Sequence, residues 1–166
     1  MSLLKRNRVD AALLRHPVHF LSLGFGSGLS PYAPGTAGTL AAIPLFWLLA
    51  PLPLLAYLGL VGVLFGIGVY LCQATTDRLG AHDHSAIVWD EVVGYLLTMT
   101  AVPFDWRWVI VGFFLFRLFD VWKPWPVRVL DRSVAGGLGI MLDDIGAAVY
   151  AALSLQIILY IYGNLL

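Results

Sequence analysis

Leu54 to Cys72 runs for nineteen residues without a charge. A helix needs roughly 20 apolar residues to cross the hydrocarbon core of a bilayer. In lipid the backbone must satisfy its own polar groups, so a run of this kind folds as a helix. Four more apolar stretches accompany it: Thr39–Ala50, Ile87–Val102, Trp106–Trp122 and Gly146–Tyr162. Pro51 and Pro53 punctuate one junction, and Pro103 to Asp105 another. The pattern predicts an all-α, multihelical, membrane-embedded single domain with about five apolar helices. Segments shorter than a full span would be tilted, re-entrant or buried.

Composition agrees with this class. The chain is 60% hydrophobic and 12% charged, against about 25% charged in ordinary soluble domains. Its 166 residues suit one domain, with 1–16 as a polar N-terminal segment and 17–166 as the membrane domain. The basic start lacks the apolar core of a signal peptide, so no cleaved leader is expected. Residues 17–38 are rich in glycine and proline yet apolar, and read as an ordered loop packed on the protein. Zero net charge argues against a nucleic-acid partner. The single Cys72 excludes an internal disulfide. No feature calls for an obligate protein partner.

The positive charges orient the layout. If the segments alternate, stretches 1–38, 74–90 and 117–144 share one side and hold nine of the ten Lys and Arg residues. The positive-inside rule puts that side in the cytoplasm, leaving Arg107 opposite.

The carboxylates lie where they are most costly. Asp90, Glu91, Asp120, Asp143 and Asp144 fall inside or at the rims of apolar segments. Insertion scales charge roughly 2.5–3.5 kcal/mol for an aspartate mid-helix. Asp83 or Ser85 would cap a helix beginning there, but Asp90 and Glu91 lie a turn or more inside. Hard oxygen ligands of this kind suit Mg²⁺. His82 and His84 offer a weaker H-x-H alternative, more often a solvated pair.

A second group is Arg117-Leu-Phe-Asp120-Val-Trp-Lys123-Pro124. Arg117 and Asp120 share a helix face, and their pairing alone would leave Lys123 unexplained. Cations beside carboxylates are the usual company of a metal-bound phosphate. A third group runs from Asp131 through Gly136-Gly137-Leu-Gly139 to Asp143-Asp144. Its glycines could cradle a phosphate at a helix N-terminus or simply turn. Its aspartates would begin the last helix about 100° apart, so that one of them faces the site, and Asp131 reads as a loop or cap residue. A fourth, Pro34-Gly35-Thr36-Ala37-Gly38-Thr39, offers hydroxyls and amides to a phosphate, with close helix packing an equal competitor.

Together the segments GFGSGLSPYAPGTAGTL, HDHSAIVWDEVVG, FRLFDVWKPWPVRVLDR and GGLGIMLDD resemble the bacterial phosphatidylglycerophosphatase A family, in order and over residues 17–163. The resemblance implies a Mg²⁺-dependent phosphatase of the cytoplasmic membrane that converts phosphatidylglycerophosphate to phosphatidylglycerol. It maps the family's acidic motif onto Asp90 and Glu91. Its R-x-x-D-x-x-K-P motif falls on Arg117, Asp120, Lys123 and Pro124, and its aspartate pair on Asp143 and Asp144. Thr39 stands where serine is common.

The expected metal ligands are therefore Asp90, Glu91, Asp120, Asp143 and Asp144. Arg117, Lys123, Thr36, Gly136 and Gly137 are expected to hold phosphate. The expected catalytic set is Asp83, Asp90, Glu91, Arg117, Asp120 and Lys123, with Glu91 or Asp83 as general base. No D-x-D-x-[TV] signature points to an aspartyl-phosphate mechanism. An ion-coupled transporter subunit is the alternative, since it too would carry intramembrane acids.

Overall fold

The computed structural model describes residues 9–80 and 84–165, and all regular structure among them is helical. Seven α-helices follow in order: α1 (Pro17–Ser22), α2 (Pro34–Leu49), α3 (Leu54–Leu79), α4 (Trp89–Thr98), α5 (Trp106–Trp122), α6 (Val127–Ser133) and α7 (Gly136–Leu165). Short 3-10 turns at Ala11–Arg15 and Gly24–Leu29 flank α1.

Local chemistry sets these boundaries. Pro34 occupies the first turn of α2, where its missing N–H costs nothing and its fixed φ suits a helix. Pro53 precedes α3, and Gly80 ends it at φ 64° with its N–H on the Thr76 carbonyl. Asp105 caps α5 by accepting from the Arg107 amide. Lys123 closes α5 in a left-handed conformation, φ 45°.

The short helix α4 is the centre of the bundle. Trp89, Asp90 and Val92 to Leu96 are all buried, wrapped by α2, α3, α5 and α7. Its polar groups find partners on the surrounding helices: Trp89 Nε1 donates to the Leu64 carbonyl at 3.2 Å and Tyr95 Oη to the Val109 carbonyl at 3.0 Å. Tyr57 Oη on α3 donates back to the Leu96 carbonyl at 2.6 Å. Close approach is bought with glycines: a Cβ on Gly94 would lie 2.7 Å from the Phe116 ring, and one on Gly68 would lie 2.7 Å from Trp89 and Met141.

Helices α5 and α7 pack antiparallel, as the contacts Lys123 with Asp143, Phe119 with Tyr150 and Trp108 with Tyr162 require. One end of the bundle therefore gathers the starts of α2, α4 and α7 and the end of α5. The exterior is apolar. Leu48 on α2, Leu55 on α3, Phe114 on α5 and Ile157 on α7 are 74%, 85%, 64% and 60% exposed. Apolar surface on this scale is what a bilayer covers.

Several expectations are corrected. By length and composition two helices, Leu54–Leu79 and Gly136–Asn164, can cross a membrane, with α2 apolar but shorter. The Ile87–Val102 segment holds only the ten-residue α4, about 15 Å long. The 17–38 stretch is packed, as expected, but much of it is helical and Pro34 already begins α2. Asp131, read as a loop or cap residue, lies inside α6, and the Gly136-Gly137 segment, read as a phosphate cradle or a turn, begins α7. Asp143 and Asp144 therefore lie about two turns inside α7 and do not cap it.

Candidate active site

Asp90 and Glu91 enter from the first turn of α4, and Asp144 from α7. One carboxylate oxygen from each lies within 4.8 Å of the others. Asp90 and Asp144 are 7% and 3% exposed. Asp90 Oδ1, Glu91 Oε2 and Asp144 Oδ2 are buried with no hydrogen-bond partner. Buried polar atoms are almost always paired, so three neighbouring carboxylates, each with an unpartnered buried oxygen, could hold a cation. The donor set is all oxygen, which fits Mg²⁺.

The surrounding charges do not neutralise this cluster. Arg117 Nη1 lies 2.5 Å from Asp120 Oδ2, one turn along α5, and 3.7 Å from Glu91 Oε1. Lys123 Nζ pairs with Asp143 Oδ2. Five carboxylates thus face two cations, an excess of three negative charges if all are ionised. Burial pushes Glu91 up to about 7. Burial, and then the charge of Glu91, raises Asp90 as well. Without a cation the centre therefore holds on to protons.

The start of α2 closes the site from the side. A Cβ on Gly35 would lie 2.1 Å from Glu91 Oε1 and 3.0 Å from Arg117 Nη1. Only glycine lets the α2 backbone come this near. No side chain caps α2, so its first amides lack the partners that helix geometry withholds from them. Gly35 is a close-approach position within segment 34–39, where the sequence reading held phosphate binding and close helix packing as equal alternatives.

The sequence-predicted residues fall into distinct places. Asp90, Glu91 and Asp144 form the three-carboxylate cluster. Asp120 is held by Arg117 beside it, and Asp143 by Lys123. The two aspartates of α7 thus diverge, as their 100° separation requires, yet both take part in the charge network. Thr36 sits half-buried in the first turn of α2. Gly136 and Gly137 pack on α3: the Gly137 amide already donates to Gln73 Oε1 at 2.8 Å, and a Cβ there would meet the Val69 carbonyl at 2.1 Å. That amide is therefore taken by helix packing and is not offered to a phosphate. The Thr39 hydroxyl donates to the Gly35 carbonyl at 3.0 Å. His84 Nδ1 accepts from the Ala86 amide at 3.2 Å. Asp83 and His82 lie outside the described residues.

These features define a class: an all-helical protein with a lipid-compatible exterior and a buried carboxylate centre flanked by Arg117 and Lys123. The family model described as Phosphatidylglycerophosphatase A matches residues 20–159. Phosphatidylglycerophosphatase A of Escherichia coli (strain K12) is 51% identical over 157 residues, covering 92% of this chain and 91% of that protein. The Haemophilus influenzae protein of the same name is 44% identical over 158 residues, covering 94% and 97%. A Bacteroides thetaiotaomicron relative, 39% identical over 150 residues and covering 86% and 94%, is provisionally named a phosphatidylinositol-3-phosphatase. No solved structure matches the chain. The chain belongs to the phosphatidylglycerophosphatase A family.

Proposed function

We propose that this protein hydrolyses the terminal phosphomonoester of phosphatidylglycerophosphate, releasing phosphatidylglycerol and phosphate, with Mg²⁺ as cofactor. The observation that carries the reading is the convergence of Asp90, Glu91 and Asp144 on one point, each with an orphaned buried oxygen. Bound there, Mg²⁺ would supply positive charge to the phosphoryl oxygens and a water acidic enough to attack. Asp90, Glu91 and Asp144 would hold it, and Asp120 and Asp143 would orient Arg117 and Lys123 around it.

Asp120 and Glu91 hold the Arg117 guanidinium at the edge of the carboxylate centre, where it would neutralise phosphate oxygens. Lys123, held at the end of α5, supplies a second cation. The open start of α2 at Gly35 and Thr36 adds backbone donors on the remaining side. Glu91, beside Arg117 and the start of α2, is the carboxylate placed to accept a proton from the attacking water.

The bilayer setting follows from the same geometry. The apolar exterior and two full-length helices support a multi-pass protein of the bacterial inner membrane. Arg78, Arg117, Lys123 and Arg128 lie toward the end that carries the carboxylates, and Arg107 lies at the other. The positive-inside rule turns the carboxylate end to the cytoplasm. The acyl chains would then stay in the bilayer while the head group enters at the rim.

The direct test is phosphate release from phosphatidylglycerophosphate by the detergent-purified protein, with phosphatidylinositol 3-phosphate as comparator. Turnover that requires Mg²⁺ and stops with EDTA is expected. Turnover indifferent to EDTA would remove the metal from the mechanism, and no release from the first lipid would remove the activity.

A further inference from the structure

An open cavity of about 570 Å³ lies between the end of α5 and α6. The chemistry assigned above uses only its border. Trp122, Lys123, Trp125, Arg128 and Ser133 are among its lining residues. Lys123 belongs to both places: it lines the cavity, and its ammonium reaches Asp143, the chain neighbour of Asp144. The cavity therefore opens directly beside the carboxylate centre.

Arg128 is the distinctive member. It is exposed, and its Nη2 donates to the Trp122 carbonyl at 3.3 Å. Among the described residues no carboxylate pairs with it. The other four arginines in the bundle's described helices include Arg107 and Arg117, both engaged with aspartate. A guanidinium held by a backbone carbonyl keeps most of its donor fork for a planar or tetrahedral oxyanion. Ser133 adds a hydroxyl to the same wall. Trp122 and Trp125 are 60% and 79% exposed, in the manner of aromatic side chains that sit at head-group level. The cavity thus combines an available cation, a hydroxyl and an interfacial aromatic rim.

We infer that this cavity seats the internal phosphodiester of the lipid substrate, and that Arg128 is a specificity-determining residue for it. The inference rests on the proposed phosphatase reading, and it names how that site selects its substrate. Phosphatidylglycerophosphate carries two anionic groups joined by one glycerol. With the terminal phosphate at the carboxylate centre, the second must lie a glycerol away, toward the bilayer. The cavity begins at that border, and two largely exposed tryptophans line it. Arg128 selects a lipid with a phosphodiester over a bare phosphomonoester, and it does not touch the reacting atoms.

The test compares wild type with Arg128→Gln and Arg128→Lys in detergent, using short-chain lipids. Phosphatidylglycerol retains the diester and lacks the monoester, whereas inorganic phosphate mimics the monoester alone. For Arg128→Gln, KM for phosphatidylglycerophosphate and the inhibition constant of phosphatidylglycerol should both weaken about tenfold, the scale of a lost charge-assisted bond. Inhibition by inorganic phosphate should not move, and Arg128→Lys should recover part of the loss. Equal weakening toward both inhibitors, or unchanged inhibition by phosphatidylglycerol, overturns the inference. Wild type that releases no phosphate from phosphatidylglycerophosphate instead removes the phosphatase reading on which it rests.

Discussion

Replacing Gly35 with alanine adds one methyl group where α2 meets the carboxylate centre. The new Cβ would stand 2.1 Å from Glu91 Oε1, whereas ordinary contact begins at 3.4 Å. The carboxylate must therefore retreat by more than 1 Å, and Arg117, 3.0 Å from the same point, must give slightly. Gly35 is helical and its φ is not positive, so alanine introduces no backbone strain. The obstructing atom is the far end of a flexible side chain, and helix propensity itself favours alanine by about 1 kcal/mol. Stability should hardly change. Activity should fall sharply, since misplacing a catalytic group by about 1 Å can cost around 100-fold. The assay is phosphate release across a Mg²⁺ titration, with melting followed by the fluorescence of the six tryptophans. Gly59→Ala is the control, because a Cβ there meets nothing within 4 Å. Wild-type turnover and Mg²⁺ dependence in Gly35→Ala would refute the idea that Glu91 works from this position. Loss of the melting transition would show instead that the backbone cannot absorb the methyl.

Three further outcomes are expected. Asp144→Asn should lower phosphate release at least about 100-fold, while leaving the metal-free melting temperature equal or higher because it relieves like-charge crowding. Glu91 is raised from 4.5 to about 7, so between those values the folded state holds a proton the unfolded state has lost. Metal-free stability should therefore fall as pH rises from about 4.5 to 7, and the Mg²⁺-induced thermal shift should be larger at pH 8 than at pH 5.5; an equal shift at both would contradict the assignment. Gly94→Ala forces a Cβ to 2.7 Å from the Phe116 ring, and chemical or thermal unfolding should report a loss of about 1–3 kcal/mol, the usual range for overpacking a core.

The acids were legible from sequence because ionised groups in apolar runs are too costly to be incidental. Asp90, Glu91, Arg117, Asp120 and Lys123 each emerged from that reasoning, and the structure brings them to one end of the bundle. Helix α5 was legible to the residue, since Asp105 caps it and the Lys123-Pro124 step ends it. Glycine was the main source of error. Gly-Gly-Leu-Gly reads as a turn, yet Gly137 lets α7 approach the Val69 carbonyl of α3, so the helix begins at Gly136. For Gly35 and Gly38 close packing was one of two equal readings, and both are close-approach positions on α2: a Cβ on Gly38 would lie 2.6 Å from Val88 Cβ. A single sequence records that glycine is present, but not whether its missing side chain serves φ freedom or proximity. Which of Asp143 and Asp144 joins the cluster was also beyond sequence, because it depends on the rotation of α7 against α4.

The order of synthesis gives the central position of α4 a further meaning. Asp90 and Glu91 leave the ribosome 54 and 53 positions before Asp144, the residue that completes their cluster. Until α7 arrives, the ten-residue α4 carries two acids in an apolar setting and is too short to lie across a bilayer by itself. The last helix therefore supplies at once a wall of the bundle and the third carboxylate of its centre. A chain cut before α7 loses both together, so an unfinished protein keeps only two of the three carboxylates of its centre.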